Sequence, residues 1–377
     1  MRVLFGSGLH PLRFKGLLLT RINIFMHENE NLARAICESL SQGTAAVLAS
    51  IVVLEGSSPR HNGAKMLISA NGKCFGTVGG SLLEATTIKE SRLAINESRS
   101  AMFEFALNGK DARSQGMICG GKATILLDYI AADPANVAFF SSWYRAVQEN
   151  HKFYYISYLK RRGNSVEVSG RSMFFNNGQN ISVGKIPENL KAEITSQLPQ
   201  IKLASMINLG ELEEIVDPIR KIKTLYCFGA GHVAVPTCHI AALCGFRVVV
   251  IDDRAEYANN ERFPEAQNIW VQAGIAGKMD ELDINEDSYI VIVTRGHMFD
   301  RDVLQKALNT RAGYIGMISS RRKKEAIFNE LRNQGATDIE LARVHSPIGL
   351  PIGGETPEEI AVSIVAELIS ERSKQHA

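Results

Sequence analysis

Leu225–Arg254 reads LYCFGAGHVAVPTCHIAALCGFRVVVIDDR: an apolar strand, a glycine turn, a helix and a second strand ending in two aspartates. Gly229, Gly231 and Ala234 stand at G-x-G-x-x-A spacing. The first glycine permits a tight turn, the second lets a pyrophosphate approach the backbone, and the alanine allows close helix–strand packing. The helix start, with His232 in its loop, then offers unpaired N–H groups and a positive dipole end to a phosphate. Asp252, about 20 residues on, is suited to accept a ribose 2′-OH and favours an NAD-like dinucleotide, with Asp253 beside it. The alternative is a domain of the same type whose ligand has been lost or changed. Hydride transfer would also need an acid/base set, which is not evident here.

Working outward, the chain from Lys223 alternates apolar strands with helical segments: TLYCFG, RVVVIDD, NIWVQAG, SYIVIVTRG and GYIGMIS, with a helix over Asp300 to Asn309. This pattern predicts an α/β fold, a Rossmann-like doubly wound parallel sheet covered on both faces. Two more loops belong on the carboxyl edge of that sheet, where ligands bind in open α/β folds. TRGHMFDRD carries Thr294, Arg295, His297 and Asp300. A histidine near an aspartate serves as acid, base or metal ligand; equally, it is a loop histidine with Asp300 capping the next helix. In HSPIGLPIGGETPEEIAVSI, Thr356, Pro357 and Glu359 fit the N-cap, N1 and N3 positions of a capping box. Gly353 and Gly354 before it either line a ligand or turn the chain.

The earlier half reads as a mixed α/β domain. A helix over NLARAICESLSQG stops at Gly43, two β-rich runs (Ala45 to Leu54, Ala64 to Ser69) follow, and Asn71-Gly72 marks a hairpin. LLEATTIKESRLAIN and VAFFSSWYRAVQEN read as helices, and the segment from KFYYISYLK onward as a meander of strands. The expected organisation is an N-terminal extension over 1–25, disordered or a start-site artefact ahead of Met26, then a mixed domain over 26–217, then the Rossmann-like domain over 218–377. EEIVDP is read as the linker.

Hydrophobic residues make up 45% of the 377 and charged residues 22%, enough to bury real cores. The net charge of +2 and the lack of a long basic block argue against a nucleic-acid partner. The apolar runs before Met26 are broken by His10, Pro11, Arg13, Lys15 and Arg21, too often for a signal or membrane span. The expectation is a cytoplasmic protein with reduced cysteines and no membrane partner. Cys227, Cys238 and Cys244, with His232 and His239, fit no usual zinc spacing and read as buried inert thiols, as do Cys37 and Cys74.

Cys119 differs. It precedes Gly120-Gly121, where little side-chain bulk covers it, and an accessible thiol can become the thiolate that attacks, carries sulfur or binds a soft metal. GTVGGSLLE, with Gly76, Gly79 and Gly80, is a second glycine loop running into a helix. EGSSPRHNGAK adds Ser57, Ser58, Arg60 and Lys65 as phosphate or pterin partners. Each loop alone is more often a plain turn.

The ordered stretches GSSPRHNGAKMLI, GTVGGSLLEA, ICGG, FGAGHVA, VIDDR, ERFPEA, TRGHMFDRDVL, YIGMISSRRK and HSPIGLPIGGETPEEIAVSIVAEL resemble the XdhC/CoxI accessory proteins of molybdenum hydroxylases. The similarity runs from about Leu48 to Ile369, excluding much of the middle. The resemblance implies a protein that binds the molybdenum cofactor (molybdopterin, with or without an appended dinucleotide), supports its sulfuration and inserts it into a xanthine dehydrogenase-type enzyme. Implied partners are the apo-hydroxylase and a cysteine desulfurase; a homodimer enclosing a shared pocket is a further expectation. The matching cysteine is Cys119, as sulfur relay or molybdenum ligand, with the glycine loop at Gly76, Gly79 and Gly80 beside the same pocket. The chain departs from the family's glycines at Ser81 and Ser319. An NAD-dependent oxidoreductase using His297 and Asp300 is the competing reading, and a scaffold that only docks the two partners is a third.

Overall fold

A computed structural model describes residues 28–56, 62–106, 121–163, 165–186, 188–209 and 212–374. Three sheets organise them. β1 (Ala46–Gly56), β2 (Lys65–Ser69), β3 (Cys74–Gly76), β4 (Ala101–Ala106) and β5 (Gly121–Ile130) form an antiparallel sheet in the order β3-β2-β1-β5-β4. A second antiparallel sheet has the order β8-β7-β6-β10-β9, from β6 (Phe153–Arg162), β7 (Ser165–Phe175), β8 (Asn180–Gly184), β9 (Ser205–Leu209) and β10 (Leu212–Ile219). The third is parallel, in the order β13-β12-β11-β14-β15-β16. Its strands are β11 (Thr224–Phe228), β12 (Arg247–Asp252), β13 (Asn268–Val271), β14 (Ser288–Ile292), β15 (Tyr314–Met317) and β16 (Val344–His345).

The helices are α1 (Glu28–Ser41), α2 (Ser81–Asn96), α3 (Pro134–Gln148), α4 (Glu188–Gln197), α5 (Ala234–Leu243), α6 (His297–Leu308), α7 (Arg321–Asn333), α8 (Asp338–Leu341) and α9 (Pro357–Lys374). Successive side chains of a strand point to opposite faces, so β11 sends Leu225 and Cys227 one way and Tyr226 and Phe228 the other. Cys238 and Ala241 of α5 and Ile364 and Leu368 of α9 cover the first face. Val303 and Leu304 of α6 and Ile327 and Leu331 of α7 cover the second. The C-terminal fold is therefore the expected doubly wound sheet, and α6 starts three residues earlier than the pattern suggests.

The two antiparallel sheets pack face to face. Val52 and Leu126 of the first meet Leu159, Val166 and Ile215 of the second. Leu83 and Ala94 of α2 cover the outer face of the first sheet, and Ile194 of α4 that of the second. The stretch expected to be a linker, EEIVDP, is part of β10, paired with both β6 and β9. Its Val216 is fully buried, because alternate residues of a strand between two neighbours must enter the core.

Candidate functional site

The parallel sheet changes direction of growth at β11, with β12 on one side and β14 on the other. At such a switch point the loops leaving adjacent strands diverge and open a crevice at their carboxyl ends. Gly229 sits there with φ +112°, and a Cβ on it would lie 2.4 Å from the Val293 carbonyl oxygen, so this turn against β14 requires glycine. A Cβ on Gly231 would meet nothing within 4 Å, which leaves the face of the loop open. Ala234 is fully buried as the first residue of α5, and no side chain caps that helix.

Asp252 is not a spare acceptor for a ribose. It is buried, and its carboxylate accepts the Ala230 N–H at 2.7 Å, the Arg254 N–H at 3.0 Å, and the Arg254 guanidinium at 2.9 and 3.0 Å. Burial pushes its pKa up, but these hydrogen bonds outweigh burial and hold it below the ordinary carboxylate value. Its role in this structure is to fix the glycine turn. Arg262 grips the same turn from the other side, donating to the Ala230 and Tyr257 carbonyls at 2.8 Å. Asp253, one residue on, is partly exposed and accepts from Arg295 at 2.6 Å, joining the loops that follow β12 and β14.

The structure does not bring His297 and Asp300 together as an acid/base pair. His297 is exposed and lies 3.7 Å from Glu330. Asp300 is completely buried; one oxygen accepts the Thr294 hydroxyl at 2.5 Å and its N–H at 3.3 Å, and the other meets Lys323. Nor does Asp300 cap α6, since it is the fourth residue of the helix and Gly296 holds the cap position. At the next strand end, Ser319 hydrogen-bonds Ser346 at 2.7 Å. The expected capping box forms: Glu359 N–H donates to the Thr356 hydroxyl and Thr356 N–H to the Glu359 carboxylate, both at 3.2 Å.

In the first half, register brings together the described residues that border two of the glycine-bearing segments. Gly56, the last residue of β1, is paired with Gly121, the first of β5. The described chain therefore enters 57–61 and leaves 107–120 at one corner, and Ala106 of β4 ends beside Lys122 there. β3 runs toward the same end of the sheet but stops short of that corner: Gly76 pairs with Met66, which pairs with Ala49 of β1. A Cβ on Gly76 would lie 2.5 Å from the Lys65 carbonyl, so β2 and the GTVGGS turn are in contact. Gly79 N–H donates to the Thr77 hydroxyl at 3.1 Å, and Gly80 precedes α2 without a side-chain cap. An open cleft of about 380 Å³ lies at the Gly56–Gly121 corner, lined by Glu55, Met102, Lys122, Arg161 and Met206 among others. Ser57, Ser58, Arg60, Cys119 and Gly120 lie outside the described residues.

Two expectations for this half are corrected. Lys65 does not face a ligand: it is buried and paired with Asp217 of β10, also donating to the Gly63 carbonyl at 3.0 Å. Burial of a lysine is tolerated only with such a partner. Cys74 is exposed, because β3 is a three-residue edge strand, and Cys37 and Cys244 are only half-buried; Cys227 and Cys238 are buried as expected. Among the described residues no three His, Cys, Asp or Glu side chains gather to hold a metal. None of the described helices is long and apolar enough to cross a membrane.

Sequence reading passed over Arg254, Arg262, Lys323 and Glu367. The arginines lie in VIDDR and ERFPEA, stretches whose charged residues carry no spacing signal. Glu367 of α9 accepts from Tyr314 and from the Gly349 N–H at 2.7 Å and pairs with His345 at 3.0 Å, anchoring the HSPIG loop.

Together, a doubly wound sheet with a glycine turn at its switch point and an antiparallel pair of sheets before it define a two-part α/β protein of the Rossmann type. A family model described as the XdhC Rossmann domain matches residues 225–368, and one described as the XdhC and CoxI family matches residues 39–106. The chain belongs to the XdhC/CoxI family. Among curated relatives, "Uncharacterized protein YqeB" of Escherichia coli K12 is 26% identical over 330 residues, 87% of this chain, which spans 44% of that protein's length. A Bacillus subtilis 168 protein named as a probable xanthine dehydrogenase subunit is 26% identical over 87% of this chain and 94% of its own. "Molybdenum cofactor insertion chaperone PaoD" of Escherichia coli K12 is 20% identical over 92% of this chain and 90% of its own. A crystal structure described as a xanthine dehydrogenase from Bacillus halodurans shares the fold, with a TM-score of 0.75, 24% identity, and coverage of 91% of this chain and 96% of that one.

Proposed function

We propose that this protein binds the molybdenum cofactor as cargo, supports its sulfuration and delivers it to an apo-hydroxylase of the xanthine dehydrogenase type. The observation that carries the reading is the Gly56–Gly121 pairing, by which the residue entering the segment with Ser57, Ser58 and Arg60 lies beside the residue leaving the segment with Cys119. The names of two relatives, one a molybdenum cofactor insertion chaperone and one a probable component of xanthine dehydrogenase, support the same reading. Cys119 is the proposed sulfur relay or molybdenum ligand, a cysteine desulfurase the sulfur donor, and a homodimer the working form. A thiolate suits this chemistry because soft sulfur ligands favour soft metal centres. The crevice at Gly229 and Gly231 is proposed to take a nucleotide-like group, whether the dinucleotide tail of the cofactor or a separate NAD-like molecule. Hydride-transfer chemistry has less support, since His297 and Asp300 are committed to different partners.

The test is to express the protein with the cofactor pathway active, then measure retained molybdenum, oxidised-pterin fluorescence and activation of an apo-hydroxylase. Wild type is expected to retain pterin and molybdenum in equal amounts and to activate the enzyme; Cys119→Ala is expected to lose activation. Absence of pterin from wild type defeats the cofactor reading. Equal activation by wild type and Cys119→Ala defeats the role of the thiol alone.

A further inference from the structure

We propose that the groove between α3 and β8 docks an extended acidic segment of a partner protein, which joins the second sheet as an added strand. The groove lies far along the chain from the glycine loops, and the proposal stands apart from the cofactor reading. Three observations converge on it.

First, β8 is an edge strand. Among the described residues it pairs only with β7. The Phe175 N–H donates to the Gln179 carbonyl and the Lys185 N–H to the Ser169 carbonyl, both under 3.0 Å (2.9 and 2.8 Å). In an antiparallel ladder bonded and non-bonded pairs alternate. The pairs Met173–Ile181 and Arg171–Val183 are thus bonded inward, and Asn180, Ser182 and Gly184 turn their backbone N–H and C=O groups to the open edge. Such an edge is a template for another extended chain.

Second, a helix flanks the edge and leaves room beside it. An open groove of about 700 Å³ runs between the C-terminal half of α3 and the start of β8, with Arg145, His151, Phe175, Asn180 and Ile181 among its walls. Ile181 is 37% exposed and gives an incoming strand one apolar contact. An edge strand beside a helix suits peptide recognition by strand addition: main-chain hydrogen bonds supply affinity, and alternate side chains supply specificity.

Third, the tract is cationic. The groove and the cleft that adjoins it share Lys152 and Lys221 as walls, and Arg145, Lys202, Arg220 and Lys223 complete the cations. These six face two carboxylates, Glu149 and Asp287, in a chain whose net charge is only +2. Asp287 is taken by Lys223 at 2.6 Å, with Lys221 at 4.0 Å, so Arg145, Lys152 and Lys202 dominate the field outside. A charge excess of this kind steers and selects an acidic partner more than it adds raw affinity.

The experiment titrates the full chain into a fluorescein-labelled decapeptide of alternating Glu and Val at low salt. It uses three further probes: the Lys–Val counterpart, the Glu–Val peptide N-methylated at alternate residues, and a ten-nucleotide oligothymidine. Saturable binding of Glu–Val is expected, with binding of the Lys–Val and N-methylated peptides weaker by roughly ten-fold or more. Arg145→Glu combined with Lys152→Glu is expected to weaken Glu–Val by roughly ten-fold while leaving the melting temperature unchanged, since both side chains are exposed. No Glu–Val binding at about 1 mM overturns the proposal. So does equal binding of the N-methylated peptide or the oligonucleotide, which makes the tract a general polyanion surface. Undiminished binding by the double variant moves the site elsewhere and overturns it as well.

Discussion

In the parallel sheet, Asp252, Asp253 and Asp300 stand at or beyond strand ends, whereas in the antiparallel half Asp128 and Asp217 stand within strands, between two sheets. The difference follows from what covers each sheet. Helices bury both faces of the parallel strands, so β14 is buried along its whole length and its polar residues begin where the strand ends. Charges there fix loops and face a crevice. Between the antiparallel sheets, charged residues cross the interface and meet partners on the other side. Asp128 of β5 receives Arg171 of β7 at 2.5 and 2.8 Å and the Tyr155 hydroxyl at 3.1 Å, and Lys65 of β2 meets Asp217 of β10. One half uses its buried carboxylates to fix loops at strand ends; the other uses them to join two stacked sheets.

The sharpest way to break this contrast is to remove one member of a crossing pair. Asp128→Ala leaves the Arg171 guanidinium buried without its carboxylate, and a loss of about 3–5 kcal/mol is expected in urea unfolding. The double substitution Asp128→Leu with Arg171→Met removes both charges and is expected to recover most of that loss, because well-packed apolar pairs replace buried ion pairs at little cost. A single substitution within about 0.5 kcal/mol of wild type would show that the crossing charges do not hold the sheets in register.

The parallel half is probed by its two glycines. Gly229→Ala forces a side chain into left-handed backbone and against the Val293 carbonyl, and should cost about 1–3 kcal/mol. Gly231→Ala meets open space, and a change within about 0.5 kcal/mol is expected. Melting temperatures that fall together in both variants would refute the view that only the first glycine is structural.

The same contrast explains what could be read in the sequence. The parallel sheet was legible because its strands are continuous apolar runs, and the glycines of its turn have fixed spacing. Even there the roles of Asp252 and Asp300 were not, because a carboxylate at a strand end looks the same whether it faces a ligand or, as here, holds Arg254 or Lys323. In the antiparallel half, alternation marked the strands but not which sheets would stack. Lys65 and Asp217 are 152 residues apart, and nothing local in either segment announces the other. EEIVDP read as a linker for the same reason: its two glutamates, aspartate and proline lower its strand signal, and pairing on both sides overrides it. Cys74 was misjudged because a short edge strand leaves exposed what a central strand would bury.

The smallest expected effect lies where the parallel half does carry an internal pair, under the HSPIG loop. The hydrogen bond that His345 donates to Glu367 raises the pKa of His345 above 6.5 against the opposing effect of burial. Burial raises that of Glu367, but its bonds to His345, Tyr314 and Gly349 bring the net value below 4.5. A histidine with a raised folded pKa contributes stability that is complete below its unfolded value and fades as pH rises through the folded one. A carboxylate with a depressed folded pKa contributes stability that is complete above its unfolded value and fades as pH falls through the folded one. The pair therefore contributes most between about 4.5 and 6.5, and its share declines on the alkaline side as His345 loses its proton. His345 is partly exposed, so screening limits the share to about 0.2–1 kcal/mol. In melting curves recorded from pH 6 upward, wild type is expected to lose slightly more stability than His345→Gln, which keeps a hydrogen-bond donor but does not titrate. Parallel curves for the two proteins would show that the charge on His345 adds nothing to the stability of this half beyond its hydrogen bond.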